Sequence, residues 1–221
     1  GIGSVVKLVR SGEVIPHILE VTEGSSQAKM PTEDFNWNPT HVDIILENKE
    51  DNQTVQEKNI SGFFVSVGVD GLGLGNIKRI IKAGYNTVPK IIAMSEQDFL
   101  KIEGFKEKMA TKVYNNIQNA IKDVDLSKVM SASNLFGHGL GSKKLALIIN
   151  ENPNILTIRL SKGKLIEKIK EIDGFDTKTA TQFVENLPKF KTFLSNNKKI
   201  KFKIVKKSKK SGVFSGKKIV F

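Results

Sequence analysis

Between residues 60 and 194 the sequence repeats a short unit, and that repeat limits the architecture more than any other feature. Val69-Asp70-Gly71-Leu72-Gly73-Leu74-Gly75 precedes an apolar run containing Ile77, Ile80 and Ile81. Leu100-Lys101-Ile102-Glu103-Gly104-Phe105-Lys106 precedes Met109, Ala110 and Val113. Leu135-Phe136-Gly137-His138-Gly139-Leu140-Gly141 precedes Leu145, Ala146, Ile148 and Ile149, and Lys170-Glu171-Ile172-Asp173-Gly174-Phe175-Asp176 precedes Thr179, Ala180 and Phe183. The leading glycines, Gly71, Gly104, Gly139 and Gly174, recur at about 35 residues. Apolar spacing on either side is helical. A glycine between helical runs ends the first helix with positive φ and no Cβ penalty. The apolar residue after it turns inward and pins the turn. Four such units predict four helical hairpins over 61–195.

The first amides of the second helix in each hairpin lack an intrahelical partner. With the positive end of the helix dipole behind them, they suit a phosphate oxygen. A glycine puts no side chain in the way of an approaching nucleic-acid backbone. Such a contact holds phosphate and sugar but reads no base, so binding is expected to be sequence-independent. The stronger candidates are Gly71, Gly73 and Gly75 in the first hairpin and Gly139, Gly141 and Ser142 in the third. Gly104, Lys106 and Lys108 are the candidates in the second. In the fourth, Asp176 stands where a second glycine would; its carboxylate can cap its own helix and faces phosphate unfavourably, so this hairpin is expected to be structural. One Gly-Leu-Gly alone would read as simple helix termination; four at regular spacing reverse that preference.

The formal charge is +12, but its location matters more. No acidic residue follows Glu185, and residues 189–218 contain twelve lysines; without them 23 basic residues face 23 acidic ones. The tail reads equally as a solvated linker or as a phosphate-tracking segment. With no cysteine and only His17, His41 and His138, a disulfide scaffold and a thiolate zinc site are excluded. No apolar run approaches the roughly 20 residues that span a bilayer, so no membrane partner is expected. Neither the Gly1-Ile2-Gly3-Ser4 start nor the Ile219-Val220-Phe221 end looks like a natural terminus, and the chain reads as the middle of a longer, intracellular polypeptide. Residues 4–22 read as two strands about a Gly12 turn, the second opened or bent at Pro16. Residues 23–56 are polar and irregular, with one strand candidate, Val42-Asp43-Ile44-Ile45-Leu46.

The segment Arg10-Ser11-Gly12-Glu13-Val14-Ile15-Pro16 resembles the OB-fold of NAD-dependent DNA ligases, which reads Arg-Ala-Gly-Asp-Val-Ile-Pro. Ser211-Gly212-Val213-Phe214-Ser215-Gly216-Lys217-Lys218-Ile219-Val220-Phe221 is similar to the opening strand of a BRCT domain. With the tandem hairpins between them, the resemblance covers nearly the whole chain. It implies an α+β multidomain fold: the end of an OB-fold β-barrel (1–29), a connector in place of a zinc module (30–60), an all-α tandem helix-hairpin-helix domain (61–195), a Lys-rich linker (196–210) and the start of a BRCT domain (211–221).

It also implies that Arg10 contacts the DNA backbone and that Val14 and Ile15 press on the minor groove beside a nick. OB-core positions for Val14 and Ile15 are the equal alternative, since OB strands alternate faces. The implied partner is nicked or duplex DNA, bound by a monomer in cytoplasm, nucleoid or a viral replication site. Two departures stand out. The stretch 31–62 has no cysteine where the family usually carries a four-cysteine zinc module, so no zinc is expected, as in viral members of the family. The family's adenylated lysine, in a Lys-x-Asp-Gly motif, is also missing. No catalytic or metal residue is therefore assigned here, and the NAD and magnesium of a parent enzyme would act outside these residues. The competing classes are a non-enzymatic junction-binding or excision-repair module of OB and hairpin type, and a scaffold whose hairpins only pack helices.

Overall fold

The repeat units become helix pairs because each supplies a buried stripe, a left-handed stop and a fresh helix start. The computed structural model describes residues 1–11, 15–49 and 51–205. The chain divides after Asn52 into two units.

In the first unit β1 (Val5–Ser11) and β2 (Ile15–Glu23) form an antiparallel ribbon, with Ser11 opposite Ile15 and Arg10 opposite Pro16. Irregularities fall between Val5 and Val6 and between Lys7 and Leu8. The ribbon exposes Val5, Leu8, Val9, Ile15, Ile18 and Leu19. A second antiparallel pair, β3 (Phe35–Trp37) and β4 (Ile44–Leu46), closes the connector. Its loop is organised by Asn38. The side-chain oxygen accepts from the Val42 and Asp43 amides at 3.0 and 3.2 Å, and the side-chain nitrogen donates to the Asp43 carboxylate at 2.8 Å. The expected strand thus begins two residues late, because Val42 is used by the loop. The two sheets of this unit are two-stranded, and no closed barrel is seen among the described residues.

The second unit runs α1 (Gln53–Val67), α2 (Leu74–Lys82), α3 (Val88–Ala93), α4 (Glu96–Leu100), α5 (Glu107–Ala120), β5 (Val124–Asp125), α6 (Leu126–Ala132), α7 (Ser142–Glu151), α8 (Lys162–Lys170), α9 (Thr177–Asn196) and β6 (Phe202–Lys203). The hairpins are α1–α2, α4–α5, α6–α7 and α8–α9. α1 shows the rule: Ile60, Phe63, Phe64 and Val67 recur at helical spacing and all are buried. The four inward residues after the leading glycines, Leu72, Phe105, Leu140 and Phe175, are all in the core. Phe136 stacks on Phe183 at 5.1 Å and meets Phe190 at 5.5 Å, joining the third and fourth hairpins.

This unit departs from the expected all-α class by one short parallel bridge. Val124 and Asp125 pair with Phe202 and Lys203, the Lys201 amide donates to the Ile121 carbonyl at 2.7 Å, and Ile200 and Asn197 are buried. Residues 197–203, inside the stretch expected as a linker, are therefore tied to the helices by backbone pairing that a Lys-rich composition hides. Gly12, Glu13, Val14 and the expected BRCT strand, 211–221, lie outside the described residues.

Candidate nucleic-acid interface

All four leading glycines take the left-handed conformation, with φ of +90° at Gly71, +83° at Gly104, +86° at Gly139 and +82° at Gly174. Two residues later comes each helix's N-cap: Gly73, Lys106, Gly141 and Asp176. The first three make no side-chain cap, whereas Asp176 accepts from the Thr179 amide at 2.7 Å. That amide, with the Thr179 side chain and the nearby Lys144 ammonium, holds the Asp176 carboxyl below the ordinary aspartate value. Among the described residues the amides of Leu74 and Gly75, of Glu107 and Lys108, and of Ser142 and Lys143 have no hydrogen-bond partner. Three helix starts are open and one is closed by its own carboxylate.

The glycines fall into two kinds. A Cβ at Gly71 would meet Val113 at 3.1 Å, and one at Gly104 would meet the Arg79 guanidinium at 2.9 Å. A Cβ at Gly73, Gly75, Gly139 or Gly141 would meet nothing within 4 Å. Gly73 and Gly141 also have ordinary φ values of −66° and −73°. Neither conformation nor packing asks for glycine at these two positions. Beside the third hairpin a depression of about 210 Å³ is lined by Ser131, Gly137, His138, Gly139 and Gly141.

Among the other sequence candidates, Lys106 and Lys108 are exposed and form no ion pair among the described residues, and Ser142 is half-buried at the start of α7. Arg10 and Ile15 come together at one end of the exposed β1–β2 ribbon, and Val14 lies outside the described residues. No group of three His, Asp or Glu side chains able to hold a metal occurs among the described residues. No described helix is long and apolar enough to cross a membrane.

The sequence reading missed how the hairpins brace one another. Asn116 of α5 donates to the Asp70 carbonyl of the first hairpin at 3.0 Å, and Lys112 pairs with the Asp70 carboxylate at 2.8 Å. That ion pair's hydrogen bond, then its charge, holds the Asp70 carboxyl below its ordinary value. In return Arg79 of α2 lies on Gly104 of the second hairpin. In the other pair, Gln182 of α9 donates to the Phe136 carbonyl and, at 3.1 Å, to the His138 carbonyl of the third hairpin. Lys144 of α7 sits 5.6 Å above the Phe175 ring of the fourth. The first and second hairpins form one reciprocal pair, the third and fourth another. A signal was available: Arg79, Lys112 and Gln182 each stand eight residues after a leading glycine.

Comparison with known proteins agrees with this geometry. A family profile described as a SAM-like helix-hairpin-helix tandem matches residues 67–119, the first reciprocal pair. The chain is 37% identical to the DNA ligase of Acanthamoeba polyphaga mimivirus, over 100% of this chain and 35% of that protein. It is 31% identical to the putative DNA ligase 052L of Invertebrate iridescent virus 3, over 76% of this chain and 22% of that protein. The DNA ligase of Desulfotalea psychrophila is 26% identical, over 81% of this chain and 27% of that protein. The chain spans about a third or less of these relatives. Its sequence is thus related, along its whole length, to a part of DNA ligases, and it carries a tandem helix-hairpin-helix unit.

Proposed function

We propose that this chain is the DNA-gripping part of an NAD-dependent DNA ligase that seals nicks in duplex DNA during replication or repair. Its hairpins hold the phosphate backbone without reading sequence. The observation that carries this is the pair Gly73 and Gly141: glycines at open helix starts, facing empty space, where the fold itself needs none. The free amides beside them are donors for a phosphate oxygen. The second hairpin adds Gly104, Lys106 and Lys108, and the fourth packs.

In this reading Val5–Glu23 belongs to an OB-fold, with Arg10 on the backbone and Val14 and Ile15 at the minor groove; residues 211–221 open a BRCT domain. The support is the resemblance of those segments. NAD and magnesium serve the adenylation steps elsewhere in the parent, which acts as a monomer inside the cell or at a viral replication site. Lacking a Lys-x-Asp-Gly motif, the chain alone binds DNA and seals nothing.

The test uses the internal example of Asp176. Gly73→Asp and Gly141→Asp each supply a helix cap while placing a carboxylate where phosphate would sit. Expected in a fluorescence titration with nicked duplex is a loss of about 1.5–3 kcal/mol, or roughly ten- to hundredfold in affinity. The melting temperature should be unchanged or raised. Undiminished binding by both variants would return the hairpins to scaffold status. A wild-type preference for four-way junctions over nicked duplex would favour a junction-binding module.

A further inference from the structure

Resting on the reading of the hairpins as phosphate grips, we propose that Arg79 is a phosphate ligand in its own right, set between the first two hairpins to bind a DNA phosphodiester. Side chains reach across each reciprocal pair. Lys112 ends on the Asp70 carboxylate, Lys144 on the face of the Phe175 ring, and Gln182 on the carbonyls of Phe136 and His138. Each finds an acceptor or an aromatic face on the hairpin it braces. Arg79 takes the equivalent place, with its Nη1 2.9 Å from where a Cβ on Gly104 would stand, yet on that hairpin it finds neither among the described residues. Among the described residues its one hydrogen bond runs to Asn76 Oδ1 at 3.3 Å, and no carboxylate pairs with it.

Asn76 in turn donates to the Gly71 carbonyl at 2.8 Å. The guanidinium is therefore tethered to the first hairpin and laid on the bare glycine of the second, and the side chain is exposed. Of its five N–H donors one is used. A cation kept for structure alone would be expected to end on an acceptor or a ring, as Lys112 and Lys144 do. The neighbouring Lys78 is already committed to the buried Glu57 at 3.6 Å. The ligand class follows from the planar fork, which matches two oxygens of one phosphate. The free amides of Leu74 and Gly75 on one side and of Glu107 and Lys108 on the other serve the same chemistry. Only three arginines occur among 35 basic residues, so a lysine-rich chain spends one of its few guanidinium groups here.

The experiment measures binding of the whole chain to nicked duplex against salt, with melting temperature alongside, for wild type, Arg79→Gln and Arg79→Lys. Arg79→Gln is expected to weaken binding about tenfold and to reduce the slope of log affinity against log salt by about one, with melting unchanged. Arg79→Lys restores the slope, because charge returns, but recovers affinity only in part, because the fork does not. An Arg79→Gln slope equal to wild type overturns the inference, whether or not affinity and melting temperature fall together. If wild type itself fails to bind duplex DNA, the hairpin reading fails first, and that outcome is distinct from wild type binding normally beside an unaffected Arg79→Gln.

Discussion

Gly71 and Gly73 are two residues apart and are glycine for different reasons. Gly71 has φ of +90° and a Val113 methyl 3.1 Å from any added Cβ, so Gly71→Ala should cost about 1–2 kcal/mol in chemical denaturation from backbone conformation alone. Gly73 has neither constraint, and its replacement should register in DNA affinity and not in stability. Asp98 carries a different residue-scale consequence. The Ser95 amide, then the Ser95 hydroxyl and more weakly Lys101, bring its carboxyl from 3.8 to about 2, with Ser95 capping α4 in return. Because the folded value lies below the unfolded one, the stabilisation is whole above pH 4 or so and is lost as pH falls toward about 2. The melting difference between wild type and Asp98→Asn should accordingly be flat near neutrality and close as pH falls through that window.

At the scale of elements, each hairpin is specified locally and each pair is not. The left-handed glycine, the inward Leu or Phe and the helix start all lie within a few residues and answer to local backbone physics. Pairing depends on contacts such as Asn116 on Asp70 and Gln182 on Phe136, some 46 residues apart in sequence. Phe136 is central to the second pair, fully buried and stacked on Phe183. Phe136→Ala should cost about 3–5 kcal/mol and weaken the third hairpin's hold on DNA together with stability, unlike Gly141→Asp. The β5–β6 bridge makes a parallel case. Ile200 is buried although it sits among lysines, so Ile200→Ala should cost about 2–5 kcal/mol in denaturant unfolding, where a linker position would cost nothing.

Over the whole molecule, a formally neutral body and a lysine-rich tail offer two routes to a phosphate backbone: oriented amides and mobile counterion release. Salt dependence separates them. Replacing Lys206, Lys207, Lys209 and Lys210 by Gln should lower the slope of log affinity against log salt if those ammonium groups touch phosphate, and leave it alone if they only link. Lys203 answers for itself, since it pairs with Asp123. In the first unit the ribbon carries Arg10 and Ile15 exposed at one end, and the described strands form two small sheets.

What the sequence determined by itself was the four turns, the inward residue of each, the self-capped Asp176 and the relation to DNA ligases, because a helix stop, a cap and an apolar stripe are written in neighbouring residues. What only the tertiary structure decided was which hairpins brace which, that Gly73 and Gly141 face empty space, that Arg79 lies on Gly104 and finds no acceptor on that hairpin, and that residues 197–203 return to pair beside α6. Those depend on side chains and backbone brought together from distant parts of the chain, where local pattern carries no distance information.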